Sequence, residues 1–168
     1  TRRVNKLSAE TMTDPLPGLY NRKGFELLVK RHLTGGEHCI IAIDIDHFKK
    51  INDRHGHTAG DAVLVTLSAR LKSACMADEI VCRFGGEEFV VFLPNTDLNE
   101  AAAKAEQLRS TIDDEDFPYT GNVTISLGVA NLKEKGNDLK QALHQADDAL
   151  YAAKRGGRNR VVISPIQD

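Results

Sequence analysis

The sequence predicts a single domain of the α/β class, more narrowly α+β, with a central, mostly antiparallel sheet flanked by helices. Its length of 168 residues fits one domain, and apolar residues make up 41% of it, enough for a core. From the first clear strand, the hydrophobic periodicity gives the order β-α-α-β-β-α-β-α-β. Within that order, strand–helix–hairpin–helix–strand is the ferredoxin-like, or palm, βαββαβ core with additions.

The first helix and the central strand are predicted in the N-terminal third. Asn21 is a typical N-cap, apolar residues at helical spacing follow from Phe25 to Leu33, and a glycine pair ends the pattern. The isoleucine-rich run CIIAIDID (39–46) predicts a buried central strand. A short helix over 48–54 and a turn over HGHTAGD (55–61) are expected next.

The remaining elements complete the sheet and cover it. Leucines at spacings of three and four from Leu64 to Leu71 predict a long helix. The segments EIVCRF and EFVVFL, on either side of Gly85-Gly86-Glu87, predict a hairpin. We then expect a helix, a strand, a helix and a strand, in that order, at 101–112, 122–130, 139–150 and 160–164.

The composition argues against several partners. The formal charge is −2, from 22 basic and 24 acidic residues, whereas proteins that bind nucleic acid usually carry a strongly basic face. The longest apolar runs, 39–43 and 89–93, are far shorter than the ~20 residues that cross a bilayer, so we expect no membrane contact by this domain. Three cysteines without metal-ligand spacing favour a reducing compartment, the cytoplasm.

Two acidic features are candidates for the ligands of a metal site. Asp44 interrupts the apolar run 40–45, where a buried carboxylate is costly unless it has a partner. RFGGEEF (83–89) places Glu87 and Glu88 beside a tight glycine turn. If that hairpin lies beside the Asp44 strand, Asp44 and Glu87 converge as oxygen ligands suited to magnesium. Taken separately, a strand that ends early explains Asp44 equally well, and a turn with solvated charges is the simpler explanation of RFGGEEF.

Four motifs in one order resemble those of the GGDEF family of diguanylate cyclases, in its GGEEF form. They extend from about Asp14 to Val161 and are DPLPGLYNR, DIDHFKKINDRHGHTAGD, RFGGEEF and ALYAAKRGGRNRV. The resemblance implies that residues 13–168 form the catalytic domain and that residues 1–12 are the end of a helix from an upstream linker. It also implies an upstream sensory or regulatory domain in a longer protein, and it leaves open whether that protein is anchored in a membrane.

The reaction that the resemblance implies converts two GTP molecules into cyclic di-GMP and two pyrophosphates, and so makes a bacterial second messenger. Each copy of the domain would hold one GTP, and a second, antiparallel-facing copy would complete the site. The implied cofactor is Mg²⁺, two ions per active subunit, with Mn²⁺ as an alternative. Metal ions and positioning dominate the catalysis of phosphoryl transfer.

The resemblance gives the acidic residues their roles position by position. Asp44, the carbonyl of Ile45 and Glu87 match the metal ligands of the family, and Glu88 is an additional acidic group at the same metal site. Glu87 also matches the general base for the 3′-hydroxyl.

Substrate-binding roles fall on three further groups of residues. The backbone amides of a helix N-terminus can cradle phosphates, and Lys154 and Arg158 match phosphate-contacting cations. Asn52 and Asp61 match the pair that binds guanine, whose N1–H and amino group are donors where adenine presents an acceptor at N1. The amides expected at the phosphates are those of His47, Phe48 and Lys49. His57 is expected to make one further substrate contact.

One family motif is absent, and two other functions stay open. At the positions of the inhibitory RxxD motif this chain has Met76 and Glu79. Methionine cannot replace the planar fork of arginine, so we expect no inhibitory product site there. A non-catalytic regulatory domain that binds GTP or cyclic di-GMP is the main alternative. Another palm-type nucleotidyl cyclase or polymerase would share the two-carboxylate chemistry, and its preference for adenine or guanine would distinguish it.

Overall fold

The computed structural model describes residues 11–33, 35–133 and 138–165. Most of the predicted linker helix at residues 1–12 lies outside the described residues. In chain order the elements are α1 (Arg22–His32), β1 (Glu37–Ile45), α2 (Phe48–His55), α3 (His57–Ala74), β2 (Ile80–Gly85), β3 (Glu88–Leu93), α4 (Leu98–Asp114), β4 (Ile125–Lys133), α5 (Leu139–Arg155) and β5 (Val161–Ile163).

The sheet has the strand order β2-β3-β1-β4-β5. Strand β1 lies in the centre and pairs antiparallel with β3 and β4, β2 pairs antiparallel with β3, and only β4 and β5 are parallel. The predicted element order and the mostly antiparallel sheet are therefore confirmed. The central position of β1 explains its isoleucine-rich sequence, because both of its faces are covered.

Two apolar layers cover the sheet. Ile41 and Ile43 of β1 belong to the layer that packs against α3 and α4. Ile40 and Ala42 belong to the opposite layer, against α1 and α5. Because side chains alternate along a strand, Asp44 follows Ala42 on the face of α5.

Glycine lets α5 lie directly on β4. At Gly128, a Cβ atom would overlap the carbonyl oxygen of Ala146 and the backbone nitrogen of Leu150. No other residue fits there unless α5 moves away from the sheet.

Two of the predicted boundaries are wrong for a reason that the structure shows. The turn predicted over 55–61 is limited to Gly56, whose φ of 87° separates α2 from α3, and α3 already begins at His57. Strand β4 begins at Ile125 rather than at Asn122. The side-chain amide of Asn122 donates to the backbone carbonyl of Asp113 at 3.0 Å, which ties this residue to the end of α4 instead of to the sheet.

Candidate active site

Asp44 lies at the end of the central strand and is 3% exposed. Its neighbours in the sheet are Glu88 on β3 and Ser126 on β4, and its side chain contacts the ammonium group of Lys154. Burial raises the pKa of the Asp44 carboxyl, and the charges of Glu88 and Asp46 raise it further, while Lys154 opposes them. The positive charge of Lys154 does not fully compensate for the burial of this carboxylate, so the ionised form would be stabilised by a further cation.

Glu87 lies beside Asp44 because of how β3 pairs with β1. The backbone N–H of Ile45 donates to the carbonyl of Glu87 at 3.4 Å. The pKa of Glu87 is raised, first by burial and then by the charge of Asp44. The expectation that the hairpin lies beside the Asp44 strand is thus confirmed, and the two carboxyl groups converge.

A cavity of about 290 Å³ opens at this end of β1. The acids Asp44 and Glu87 lie in its wall together with the cations Lys154 and Arg158. The rest of its lining comes from the end of β1 and the start of α2, namely Ile45, Asp46, His47, Phe48, Lys49 and Lys50. The cavity therefore offers oxygen ligands for a cation next to positive charges for an anion.

The phosphate-binding candidates surround the cavity from two directions. His47 precedes α2 in a left-handed conformation, with φ of 57°, and the amides that follow it open the helix. Lys154 is in the last turn of α5, and Arg158 follows in the loop toward β5. The backbone N–H of Arg158 donates to the carbonyl of Ala153 at 3.0 Å, which returns the loop toward the helix end.

The proposed guanine-binding pair is close together but outside this cavity lining. Asn52 is on α2, and its side-chain amide packs against Gly60 of α3, where any Cβ atom would overlap it. Asp61 is the next residue of α3, and His57 begins that helix. Glu88 also lies outside the lining, exposed at the start of β3.

The metal ligands expected from the sequence are two carboxylates and one carbonyl. No group of three or more His, Cys, Asp or Glu side chains placed for a metal ion occurs among residues 11–33, 35–133 and 138–165. A site of two acids and a backbone oxygen fits Mg²⁺, which is usually held by one or two carboxylates and completes its shell with water and substrate phosphates. The raised pKa values of Asp44 and Glu87 agree with such a site, because a cation would relieve their repulsion.

Asp46, which is 5% exposed and lines the cavity, was not predicted as a site residue. Its carboxylate accepts hydrogen bonds from Thr124 Oγ1 at 2.7 Å, Ser126 Oγ at 2.6 Å and the backbone N–H of Asn159 at 2.9 Å. Its position two residues after Asp44 was the available signal, since an acid next to a buried strand needs partners. Lys50 was missed as well, although it follows the expected phosphate cradle directly.

The segment that replaces RxxD is folded on itself. The Met76 side chain is 67% exposed, and its backbone N–H donates to the Glu79 carboxylate at 2.6 Å. The ammonium of Lys104 lies 3.3 Å from the same carboxylate. The absence of a product site here stays a prediction.

The family profile described as "Diguanylate cyclase, GGDEF domain" matches residues 11–160. The chain belongs to the GGDEF family. This GGDEF domain is 43% identical over 161 residues to the response regulator PleD of Caulobacter vibrioides, a match that covers 90% of this chain and 36% of PleD. To the diguanylate cyclase DgcP of Pseudomonas aeruginosa it is 40% identical over 164 residues, which covers 92% of this chain and 24% of DgcP.

A solved structure resembles the GGDEF domain over nearly its whole length. The coiled coil and GGDEF domain of DgcB from Caulobacter crescentus, in complex with c-di-GMP, matches with a TM-score of 0.86 at 30% identity. The match covers 97% of this chain and 91% of that one. The GGDEF domain spans only about a third of PleD and about a quarter of DgcP. None of its described helices is long and apolar enough to cross a membrane.

Proposed function

We propose that this domain is a diguanylate cyclase that condenses two GTP molecules into cyclic di-GMP and two pyrophosphates. The observation that carries the proposal is the convergence of Asp44 and Glu87 in one cavity with Lys154 and Arg158. A nucleoside triphosphate needs both halves of this arrangement, acids for a cation and cations for the phosphates. The description of the matching family, and the name of the similar protein DgcP as a diguanylate cyclase, support the same reaction.

The chemistry is two symmetric phosphoryl transfers. In each, the 3′-hydroxyl of one GTP attacks the α-phosphorus of the other, a new P–O bond forms, and the bond to pyrophosphate breaks. The proton of the hydroxyl goes to Glu87, whose raised pKa suits a general base better than an ordinary carboxylate does. Lys154 and Arg158 neutralise the phosphates and the departing pyrophosphate.

Asp44, the carbonyl of Ile45 and Glu87 are the residues that would hold Mg²⁺. When bound, the cation supplies positive charge to the phosphate oxygens where negative charge grows during transfer. Glu88, which is exposed next to this group, adds negative potential rather than a direct ligand in this arrangement. Mn²⁺ favours similar oxygen ligands and is the expected substitute.

Guanine is proposed to bind between α2 and α3, at Asn52 and Asp61. A carboxylate accepts from the guanine N1–H and amino group, and an unpaired acceptor in that place disfavours adenine. His57, at the start of α3, is the further substrate contact. A strong preference for GTP over ATP is therefore expected, and equal use of both would instead favour another palm-type nucleotidyl cyclase.

A second copy of the domain is proposed to complete the reaction, because each site supplies one GTP and the product joins two. The chain covers only part of PleD and DgcP, so we also propose a longer protein in which another region brings two copies together. Such linkage raises the effective concentration of one domain near the other.

The test is an assay of GTP turnover with Mg²⁺ on the chain fused to a dimerising coiled coil. Product formation by the wild-type fusion is expected, and Glu87→Gln should lower it by about a thousandfold or more, because the variant loses both the base and a charged ligand. The matched control is Glu115→Gln, which changes an exposed glutamate that follows α4.

Two results would contradict the proposal. If the dimeric wild-type fusion binds GTP and forms no cyclic di-GMP, the domain is a non-catalytic regulatory module instead. If Glu87→Gln retains full turnover while Glu115→Gln behaves like wild type, the base must be another group. Circular dichroism of both variants shows whether the fold is retained.

A further inference from the structure

The turn after α5 has an unusual backbone. Arg158 and Asn159 have φ values of 64° and 46°, both in the left-handed region that residues with a side chain rarely adopt. Arg158 reaches the cavity from this turn. Two such residues in succession stay in place only when neighbouring groups hold them.

Asn159 is held from two sides. Its side chain connects the turn to α4, because Asn159 Oδ1 accepts from Arg109 Nη1 at 2.9 Å and Asn159 Nδ2 donates to Asp113 Oδ2 at 3.1 Å. On the other side, its backbone N–H donates to Asp46 Oδ2 at 2.9 Å.

Asp46 is the buried partner in this set of contacts. The same carboxylate also accepts from Thr124 and Ser126, so it joins the end of β1 and the start of β4 to the turn. All three donors are at least 78 positions away from Asp46 in the sequence, and none of them carries a charge. The Asp46 carboxylate thus connects the strand that bears Asp44 to the turn that bears Arg158.

We propose that Asp46 is a positioning residue for the triphosphate, acting through the Asn159 N–H to keep Arg158 in the cavity. The inference rests on the proposed function and adds a specific role for a residue that contacts no phosphate itself. Without the Asp46 acceptor, the turn loses the contact that favours its left-handed conformation. Arg158 is then no longer held beside Asp44 and Lys154.

The test is a double-mutant cycle with Asp46→Asn and Arg158→Ala. The probe is a GTP analogue with a methylene group between the α- and β-phosphates, which cannot release pyrophosphate, and its binding is measured by calorimetry with Mg²⁺. Asp46→Asn leaves one uncharged acceptor oxygen for the three donors, and it should weaken binding about tenfold in the wild-type background. The loss should be less than about twofold when Arg158 is already alanine, because residues that act through one another are not additive.

Additive losses would overturn the inference, since Asp46 would then act on the ligand or on folding independently of Arg158. Asp97→Ala, which removes a helix cap far from the turn, is the control for lost stability and should leave the affinity unchanged. If Asp46→Asn does not fold by circular dichroism, Asn159→Gly replaces it. Glycine adopts the left-handed conformation and keeps the N–H for Asp46, but it loses both contacts to α4.

The Asn159→Gly variant should weaken binding by about threefold, and this loss should also disappear with Arg158→Ala. Equal losses in both backgrounds would again overturn the inference. Wild-type protein that does not bind the analogue would overturn the proposed function together with this inference. Wild-type binding combined with additive losses overturns the inference alone.

Discussion

Asp44 and Glu87 are two neighbouring acids whose pKa values are both raised, in each case mainly by burial. The charge of Asp44 raises the pKa of Glu87 further, and the charges of Glu88 and Asp46 do the same for Asp44. In a stable fold such a pair is unfavourable unless a ligand uses it, because each negative charge destabilises the other. Lys154 compensates only in part, since the pKa of Asp44 stays raised despite its contact. The active-site acids therefore reduce stability at the pH at which the proposed reaction needs them ionised.

Replacing Asp44 with asparagine should raise the melting temperature of chelator-treated protein, and more so at pH 8 than at pH 5. The unfolded chain loses the Asp44 proton near its ordinary pKa of 3.8, while the folded chain holds the proton to higher pH. The stability contributed by the protonated group is thus present at low pH and is lost as pH rises through the raised pKa. Asp44→Asn also loses the contact with Lys154, which opposes the gain in stability. Burial nevertheless has the larger effect on the pKa of Asp44, so a net gain is expected.

Thermal melts of Asp44→Asn at the two pH values check this, with Asp53→Asn, an exposed acid on α2, as the control for charge. Added Mg²⁺ should raise the melting temperature of wild-type protein and have little effect on Asp44→Asn. A variant that is less stable than wild type at pH 8 would contradict the direction of the effect.

The residues that the sequence could identify are those whose type is surprising where they stand. Asp44 stands out in an apolar run, and the glycine pair marks Glu87. Asp46 and Asn159 do not stand out, because their roles depend on partners about 80 and 113 positions away in the sequence. Only the pairing of β1 with β4, and the packing of the last turn against both, brings these groups together.

At the scale of the elements, helix α4 shows how local sequence determines a boundary. Asp97 accepts from the Glu100 N–H at 2.8 Å, and the Glu100 carboxylate accepts from the Asp97 N–H at 3.3 Å, which is a capping box. The apolar residues of the helix, including Ala101 and Leu108, then pack on the sheet. The sequence predicted this helix from the packed positions alone, and the helix begins three residues before the first of them, Ala101.

Asp97→Ala should lower the free energy of unfolding by about 1 kcal/mol, since the N-terminal amides of α4 lose their acceptor. Urea denaturation measures this, and turnover per folded molecule should not change. Asn99→Ala, at an exposed position in the first turn of the same helix, is the matched control. An equal loss of stability in both variants would show that the cap contributes nothing of its own.

Other boundaries could not be predicted because they depend on one conformation or one distant contact. Nothing in HGHTAGD indicates that Gly56 alone breaks the helix, with its φ of 87°, while the next residue already starts α3. Asn122 belongs to the alternating pattern that predicts the strand, but its hydrogen bond to Asp113 holds it outside the sheet. Periodicity predicts which segments are regular, and tertiary contacts decide where they end.

At the scale of the whole molecule, the proposed activity depends on two copies that meet, and its regulation depends on surfaces outside the cavity. Met76 and Glu79 lie just before the hairpin that carries Glu87, at the positions where the sequence resemblance places the inhibitory RxxD motif. Here Glu79 is paired with Lys104, and Met76 offers no charge. Product should accumulate without inhibition through this surface.

Restoring the motif with Met76→Arg and Glu79→Asp should create product inhibition. The double variant should respond to cyclic di-GMP at a concentration at least about tenfold lower than wild type does, because an arginine fork adds paired, charge-assisted hydrogen bonds to phosphate. Turnover at increasing product concentration measures this. Met76→Lys with Glu79→Asp is the control for charge alone. If wild-type protein is inhibited by cyclic di-GMP at the same concentration as the double variant, the prediction that it has no inhibitory site there is wrong.

Gly128 should affect the site although it lies outside the cavity lining. A methyl group there would overlap backbone atoms of α5, and we expect Gly128→Ala to cost about 1–3 kcal/mol and to move the helix outward. Lys154, one turn beyond Leu150, would move with it, so KM for GTP should rise. Val129→Ala, which weakens the opposite core layer, is the control and should reduce stability without changing KM.

The separation between Asp44 on β1 and the cations at the end of α5 and just beyond it is thus set by a missing side chain in the middle of the sheet. Gly128 pairs with Ala42, two residues before Asp44, so the distance is fixed inside the core and not at the solvent-facing rim. Substitutions at the wall of the pocket change the side chains that line it, but not the distance between the strand and the helix that carry them. That distance changes only when the helix is lifted from the strand, which makes it a property of the core.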